Sequence, residues 1–135
     1  MLANFVENGS WLSVVLAEYV TVMMLRIGAD TKRDPERLNT PGIIHNLTFT
    51  IVMFLSIPLT FWIAVYIGFF EGFWTAFIAW FLLQIIGTFI INLAINITPA
   101  FPGKYAILAI LSIPAIVFAY GLSIYSSLKW FGYLP

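Results

Sequence analysis

The segment Gln84–Asn96, with the sequence QIIGTFIINLAIN, decides how the rest of the chain is organised. Polar side chains recur in it at every fourth position, as Gln84, Thr88, Asn92 and Asn96. Residues four apart lie on one face of a helix, so the segment predicts an apolar helix with a ladder of amide and hydroxyl groups along one side. Polar groups in hydrocarbon are costly unless they are paired, so we expect other helices to supply the partners.

The composition predicts an integral membrane protein. Of 135 residues, 61% are apolar and only 9% are charged, whereas soluble domains average about 25% charged residues. The length suits a single domain, residues 1–135. The net charge of zero argues against nucleic acid as a partner. The absence of cysteine excludes thiolate metal sites and leaves the redox compartment open.

The hydropathy pattern predicts an all-α fold, a polytopic bundle of four transmembrane helices. We expect these helices to span residues of about 11–27, 43–68, 74–98 and 104–128. Each is close to the ~20 residues that cross a bilayer as a helix. Ser10 is suited to cap the first helix. Pro58 and Pro114 fall inside the second and fourth helices and are expected to kink them.

Residues 28–41 form a hydrophilic loop that contains Lys32, Arg33 and Arg37, with Arg26 just before it. No other loop is as rich in basic residues, so the positive-inside rule places this loop in the cytoplasm and both termini on the non-cytoplasmic side. We expect the membrane to be the plasma or inner membrane of a prokaryote. The arginines Arg26, Arg33 and Arg37 are candidate anion-binding residues.

Two further features bear on topology. Residues 1–10 contain no Lys or Arg and so lack the basic region of a signal peptide, and we expect the first apolar segment to be retained as a helix. Aromatic residues fall at the predicted outer ends of the helices, as an aromatic belt at one interface requires. These residues are Trp11, Tyr66, Trp74, Trp130 and Tyr133.

Small or hydroxylated residues recur at intervals of four on the other predicted helices. Inside lipid, helices associate where small residues allow close approach and where polar groups can bond. We therefore expect these stripes to face protein, and the third helix, which carries the ladder, to be the central helix of the bundle. The stripes are Ser13, Ala17 and Thr21; Thr48, Ser56, Thr60, Ala64 and Gly68; and Ala115, Ala119, Ser123 and Ser127.

Glu18 is the one ionisable residue expected deep in the bilayer. The first and third helices run in the same direction across the membrane, and depth matching brings Glu18 level with Gln84 and Thr88, so we predict an intramembrane polar group of these three residues. Intramembrane carboxyl groups commonly bind protons or cations. The alternative is a structural role, in which a protonated Glu18 is hydrogen-bonded to Gln84 or to a neighbouring subunit.

A second polar layer is predicted nearer the cytoplasm, formed by His45, Asn46, Asn92 and Asn96. We expect Asn92 and Asn96 to bond to His45 and Asn46, either as a link between helices or as the lining of a polar path. A single histidine cannot form a His-rich metal site, so no metal is predicted. The chain shows no nucleophile–base–acid triad and no nucleotide-binding motif, so no catalytic residue is assigned.

The layout resembles that of the membrane-associated eicosanoid and glutathione metabolism proteins, which are four-helix trimers with a basic cytoplasmic first loop. Arg26, Arg37 and the pair His45-Asn46 are similar to residues that bind glutathione in that family. The chain departs from it at Thr48–Thr50, where an acidic residue is expected, and after Ala79-Trp80, where an arginine is expected. The resemblance implies a glutathione- or lipid-handling membrane enzyme.

A second resemblance is to the small multidrug-resistance exporters, which also have four helices. Leu16-Ala17-Glu18 is similar to the first-helix motif around their membrane glutamate. The other three helices show no further match, and the charged loop at 28–41 is unlike theirs. This resemblance implies a small proton-coupled transporter centred on Glu18.

Three functions follow as hypotheses. The first is a non-enzymatic membrane subunit that packs through its stripes into a homo-oligomer or a larger membrane complex. The second is the glutathione- or lipid-handling enzyme, and the third is the proton-coupled transporter. Membrane lipids and other membrane subunits are the expected partners. No cofactor is predicted, except glutathione under the second hypothesis.

Overall fold

The computed structural model describes residues 3–33, 47–99 and 103–133, and nearly all of them are helical. A short helix, α1, precedes the first long helix, α2. The third long helix is interrupted by a π-helical segment, in which the backbone hydrogen bonds span five residues instead of four. The elements are α1 (Ala3–Asn8), α2 (Trp11–Arg33), α3 (Leu47–Glu71), α4 (Phe73–Leu82), the π segment (Leu83–Gly87), α5 (Thr88–Ile97) and α6 (Lys104–Trp130).

Four helices among the described residues are long and apolar enough to cross a membrane, as the sequence predicts. The largest difference in bounds concerns the first, because α2 continues to Arg33 and does not end near Ile27. Residues 28–33 are therefore helical, although we predicted them to be loop. They contain no proline, and the first strong helix breaker is Pro35, which disfavours the helical conformation at the residue before it.

Ser10 begins α2 as predicted. Its hydroxyl accepts a hydrogen bond from the backbone N–H of Ser13, at 3.3 Å, and so pairs one of the free donors of the first turn. Gly9 separates α1 from α2, and a side chain there would approach the ring of Phe5 to 2.6 Å. The glycine thus allows the chain to fold back closely at this junction.

The long helices alternate in direction, which the contacts between their ends show. The start of α2 meets the end of α3, since the backbone N–H of Ser10 donates to the Tyr66 hydroxyl at 2.6 Å. The ends of α3 and α6 meet, since Trp130 Nε1 donates to the carbonyl oxygen of Phe69 at 3.0 Å. Phe5 lies in the same group and packs edge-on against Trp11 and Tyr66. One end of the bundle is therefore rich in aromatic residues.

The central helix is α2, and the prediction that the third helix is central is wrong. Half of the apolar span of α2 is buried, against 6% for the span Phe73–Ile97. The third helix does contact both α2 and α3, as expected. Ala76 and Ile95 are its buried apolar residues. A polar ladder therefore indicates only that one side of the helix faces protein. A helix at the edge of a bundle has such a side, as does a helix at its centre.

Small residues are buried on α2 and α6, which contact each other, as predicted for the stripes of these two helices, whereas the stripe on α3 is buried only at Ser56. Ser13 and Ala17 are buried on α2, and Ala115, Ala119 and Ser123 are buried on α6. Side-chain hydrogen bonds add to the contacts between α2 and α6, between α3 and α6, and between α3 and α4. Tyr19 donates to the Leu108 carbonyl, Trp62 Nε1 to Ser123 Oγ, Tyr120 to the Leu55 carbonyl and Trp80 Nε1 to the Thr60 carbonyl.

Candidate functional site

Glu18 lies on the inward side of α2 and is only 4% exposed. It faces the third long helix, where Gln84 Nε2 donates to Glu18 Oε1 at 3.1 Å. This contact confirms that Gln84 meets Glu18. A primary amide is a suitable neighbour for a carboxyl group here, because it can donate to a carboxylate oxygen or accept from a protonated one.

The second oxygen of the carboxyl group has a different environment. Glu18 Oε2 is buried and has no hydrogen-bond partner within the described part of the chain. It faces Gly87, where an added Cβ would lie 3.4 Å from Oε2. An unpaired buried acceptor is rare and costs about 1–3 kcal/mol, more for a charged group. The carboxyl group is thus held at one oxygen and unpaired at the other.

The π segment places both neighbours of this carboxyl group. Gln84 and Gly87 belong to Leu83–Gly87, the only stretch of the described third helix with π geometry. A regular α-helix turns about 100° per residue, so residues four apart drift by about 40° per step. The wider π turn rotates each residue less, which keeps Gln84 and the later members of the ladder directed at α2. Short π segments often occur at functional sites.

No cationic side chain of the described residues pairs with Glu18. Arg26, on the same helix, is eight residues away, which is about 12 Å along the axis. Its guanidinium is bonded elsewhere, with Nε donating to Asn92 Oδ1 at 2.8 Å and Nη2 to Asn96 Oδ1 at 3.0 Å. A negative charge on Glu18 must therefore be compensated by a bound proton or cation.

Arg26 is therefore the hydrogen-bond partner of Asn92 and Asn96, for which we predicted His45 and Asn46. Asn92 also donates from Nδ2 to the Thr88 carbonyl at 3.0 Å, so the amide is fixed at both ends. His45 and Asn46 lie outside the described residues, and their predicted contacts stay predictions. The sequence predicted Arg26 as a candidate anion-binding residue and did not predict its bonds to Asn92 and Asn96, because an arginine at a helix end usually extends toward water.

The remaining predicted residues are distributed as follows. Thr88 is half-buried. Its carbonyl oxygen accepts the hydrogen bond from Asn92 Nδ2. Arg33 is the last residue of α2, and its side chain, like the whole of Arg37, falls outside the described part. Of the four residues that are similar to glutathione-binding residues, only Arg26 lies within the described part of the chain. Among the described residues no three His, Asp or Glu side chains are grouped as a metal ion would require.

A pocket of about 310 Å³ opens on the surface of the bundle and lies next to the Glu18 site. Gly87 and Leu83 line this pocket, and a Cβ added at Gly87 would lie 3.4 Å from Glu18 Oε2, so the carboxyl group lies close behind this wall. Aromatic residues Phe5 and Trp11 form its far wall, with aliphatic side chains elsewhere. Sequence reasoning missed Gly87. A glycine inside an otherwise regular helical pattern is a signal of close approach and could have indicated it.

Comparison of the chain with family models, with curated proteins and with solved structures finds no match. The function must therefore be argued from the geometry of the site.

Proposed function

We propose that this chain is a small proton-coupled membrane transporter in which Glu18 is the residue that binds the proton. The observation that carries the proposal is the unpaired, buried Oε2 of Glu18 beside the π segment. A carboxyl group in hydrocarbon with no cationic neighbour can take up a proton or a cation but cannot remain an isolated anion. If a proton and a cation bind this carboxyl group in turn, the transport of the cation is coupled to the transport of the proton.

The adjoining pocket indicates the class of cargo. Its lining is aromatic and aliphatic, and the Glu18 carboxyl group lies close to the lining residue Gly87. Aromatic faces attract cations, and apolar walls favour a ligand with a large hydrocarbon surface. The proposed cargo is therefore a lipophilic organic cation that competes with the proton for Glu18.

Infrared difference spectroscopy of the purified protein tests proton binding. The acid-minus-base spectrum is expected to contain a carboxylic acid band that Glu18→Gln lacks. The matched control is Glu7→Gln, which makes the same change at an exposed carboxyl group of α1 and is expected to keep the band. A spectrum that is identical in wild type and Glu18→Gln would contradict the proposal.

Flux in proteoliposomes tests the coupling. Tetraphenylphosphonium is added to vesicles that contain a pH-sensitive dye. Protons are expected to leave the vesicle lumen, which the dye reports as a rise in internal pH, with wild type and with Glu7→Gln but not with Glu18→Gln. Proton release by a folded Glu18→Gln variant at the wild-type rate would refute the role of Glu18 in coupling.

A second candidate is the membrane subunit that forms a homo-oligomer, and one observation favours it. Thr60, Ala64 and Gly68 are only half-buried and line two outward grooves of about 530 and 370 Å³. Small residues along a groove allow another helix to approach closely. Because the chain has no cysteine, Ala64→Cys provides a clean cross-linking probe. We expect a disulfide dimer with Ala64→Cys and none with Gly121→Cys, which is exposed on α6.

The proposed topology keeps the 28–41 segment in the cytoplasm and both termini outside, in the plasma or inner membrane of a prokaryote. The basic residues of this segment support the orientation, and the grouping of Trp11, Tyr66 and Trp130 supports a membrane interface at the opposite end of the bundle. A membrane-impermeant thiol reagent on intact cells is expected to label Tyr133→Cys and not Lys32→Cys. The reverse pattern would show the opposite orientation.

A further inference from the structure

A second pocket, separate from the Glu18 site, lies at the opposite end of the bundle from the aromatic residues. It has a volume of about 250 Å³ and is formed where α2, α5 and α6 meet. Arg26, Asn96, Lys104 and Tyr105 supply its polar side, and Met23 and Leu108 are part of its apolar side. This mixed lining differs from that of the three largely apolar grooves described above.

The two cations of this pocket bind only neutral groups among the described residues. Arg26 donates to the amide oxygens of Asn92 and Asn96. Lys104 Nζ donates to the backbone carbonyls of Ile95 and Thr98, at 2.8 and 2.7 Å. These bonds fix the positions of both positive charges without neutralising them. An ordered pair of uncompensated cations is suited to bind an oxyanion.

Two other titratable groups belong to this region, Tyr105 in the lining of the pocket and Asp30 beside it. The Tyr105 hydroxyl is buried and has no hydrogen bond of ordinary geometry within the described residues. The Asp30 carboxyl group lies within hydrogen-bonding reach of this hydroxyl, and Arg26 acts on it electrostatically. One acid against two bases leaves a net positive charge, and the Tyr105 O–H is a donor that a bound anion can accept in place of Asp30.

The depth of the pocket identifies the source of the anion. Asp30 ends the apolar span of α2, and Lys104 begins that of α6, so the pocket lies at the level where hydrocarbon meets headgroups. Its apolar side continues toward the hydrocarbon region at Met23 and Leu108. A phospholipid presents a phosphate at this depth with apolar chains beside it, whereas a free anion presents no apolar part.

We propose that this pocket binds the phosphate group of an anionic phospholipid, with Arg26 and Lys104 as the cationic ligands and the Tyr105 hydroxyl as a further donor. The site is independent of Glu18 and of the transport proposal, because it lies at another level of the bundle and uses none of the same side chains.

Native mass spectrometry of the full chain with added phosphatidylglycerol or phosphatidylcholine tests the proposal. We expect wild type to retain phosphatidylglycerol preferentially, and Arg26→Gln/Lys104→Gln to bind it about tenfold more weakly or worse, since one charge-assisted hydrogen bond is worth at least this factor. Two controls make the same change at exposed lysines. Lys32→Gln lies at the same end and Lys129→Gln at the other, and both should bind as wild type.

Because Arg26 and Lys104 also link helices, the double variant can lose stability for another reason. Tyr105→Phe removes only the hydroxyl, and we expect a folded protein with a smaller but measurable loss of phosphatidylglycerol. Equal binding of the two lipids, unchanged binding in a folded Arg26→Gln/Lys104→Gln variant, or an equal loss in Lys32→Gln would overturn the proposal.

A thermal-shift series separates lipid from free anion. Phosphatidylglycerol is expected to raise the unfolding temperature of wild type, and inorganic phosphate at the same concentration is expected to raise it much less. If inorganic phosphate stabilises the protein as strongly as the lipid, the ligand is a free oxyanion and the assignment to a phospholipid is wrong.

Discussion

Three residues, Glu18, Gln84 and Gly87, determine the properties of the central site. Gln84 donates a hydrogen bond to one carboxyl oxygen, and Gly87, which has no side chain, lies opposite the other oxygen and leaves it without a partner. The Glu18–Gln84 pair could be predicted from the sequence, because both residues are polar and reach the same depth on two helices that run in the same direction. An isolated glycine in a helical pattern could indicate Gly87, but the sequence does not show that it lies opposite Glu18, where an added Cβ would be 3.4 Å from Oε2.

At this scale we predict that Gly87→Val destabilises the protein by about 1–3 kcal/mol, the usual range for added methyl groups at a packed position. A Cβ at Gly87 would already be in van der Waals contact with Glu18 and Leu83, so the two further methyl groups of valine are expected to crowd these side chains. The control is Gly121→Val, because a Cβ at Gly121 meets nothing within 4 Å. The midpoint of thermal unfolding in detergent is expected to fall for Gly87→Val relative to Gly121→Val.

The same substitution in a Glu18→Ala background identifies the contact responsible. Removal of the carboxyl group creates space, so Gly87→Val should cost less there than in wild type, as residues in contact are not additive. Equal costs in the two backgrounds would mean that Gly87 and Glu18 are not coupled.

At the scale of elements, α1 is a feature that the sequence did not predict. Six residues are too few to form a stable helix alone, so α1 depends on what it contacts. Phe5 is 1% exposed, and its backbone N–H donates to Glu71 Oε1 at 2.7 Å. The helix α1 thereby covers the end of α3 and one wall of the pocket beside Glu18.

We predict that Phe5→Ala releases α1 from the bundle. Loss of a buried phenylalanine costs about 3–5 kcal/mol in a core, and a short terminal helix opens locally before the whole protein unfolds. Hydrogen exchange is expected to accelerate in residues 3–10 and to remain slow in α2 and α6. The control is Val6→Ala, which changes a residue that is 54% exposed and should leave the exchange of residues 3–10 unchanged. Unchanged exchange in Phe5→Ala would show that Phe5 does not hold α1.

The π segment bears on the four-residue spacing of the ladder, which predicts the polar face of the helix but not where its irregular turn lies. A spacing of four residues exceeds the 3.6 residues of a regular turn, so a ladder in a regular helix drifts by about 40° per step, and an underwound turn reduces this drift. The sequence contains this spacing in Gln84, Thr88, Asn92 and Asn96. It does not show where the irregular turn falls, because Leu83–Gly87 contains no proline or other residue that enforces one.

At the scale of the whole molecule, the number of long helices and the faces that pack were predictable, and their arrangement was not. Hydropathy fixes the number of apolar segments, and small residues such as Ala119 and Ser123 mark the inward face of α6. Which helix is central depends on contacts between distant residues. The weight of the polar ladder favoured the third helix, whereas the close approach of α2 and α6 places α2 at the centre.

This arrangement predicts that the same substitution has opposite outcomes on two helices. Ala119 is fully buried on α6, so Ala119→Leu should lower the free energy of unfolding by about 1–3 kcal/mol or prevent folding, because the inserted atoms have no space. Ala94 is exposed on α5, so Ala94→Leu should change it by less than about 0.5 kcal/mol. Thermal unfolding and size-exclusion profiles of the two variants in the same detergent provide the comparison. A tolerated leucine at 119 together with a disruptive one at 94 would place the packed centre of the molecule on the third helix, against the structure.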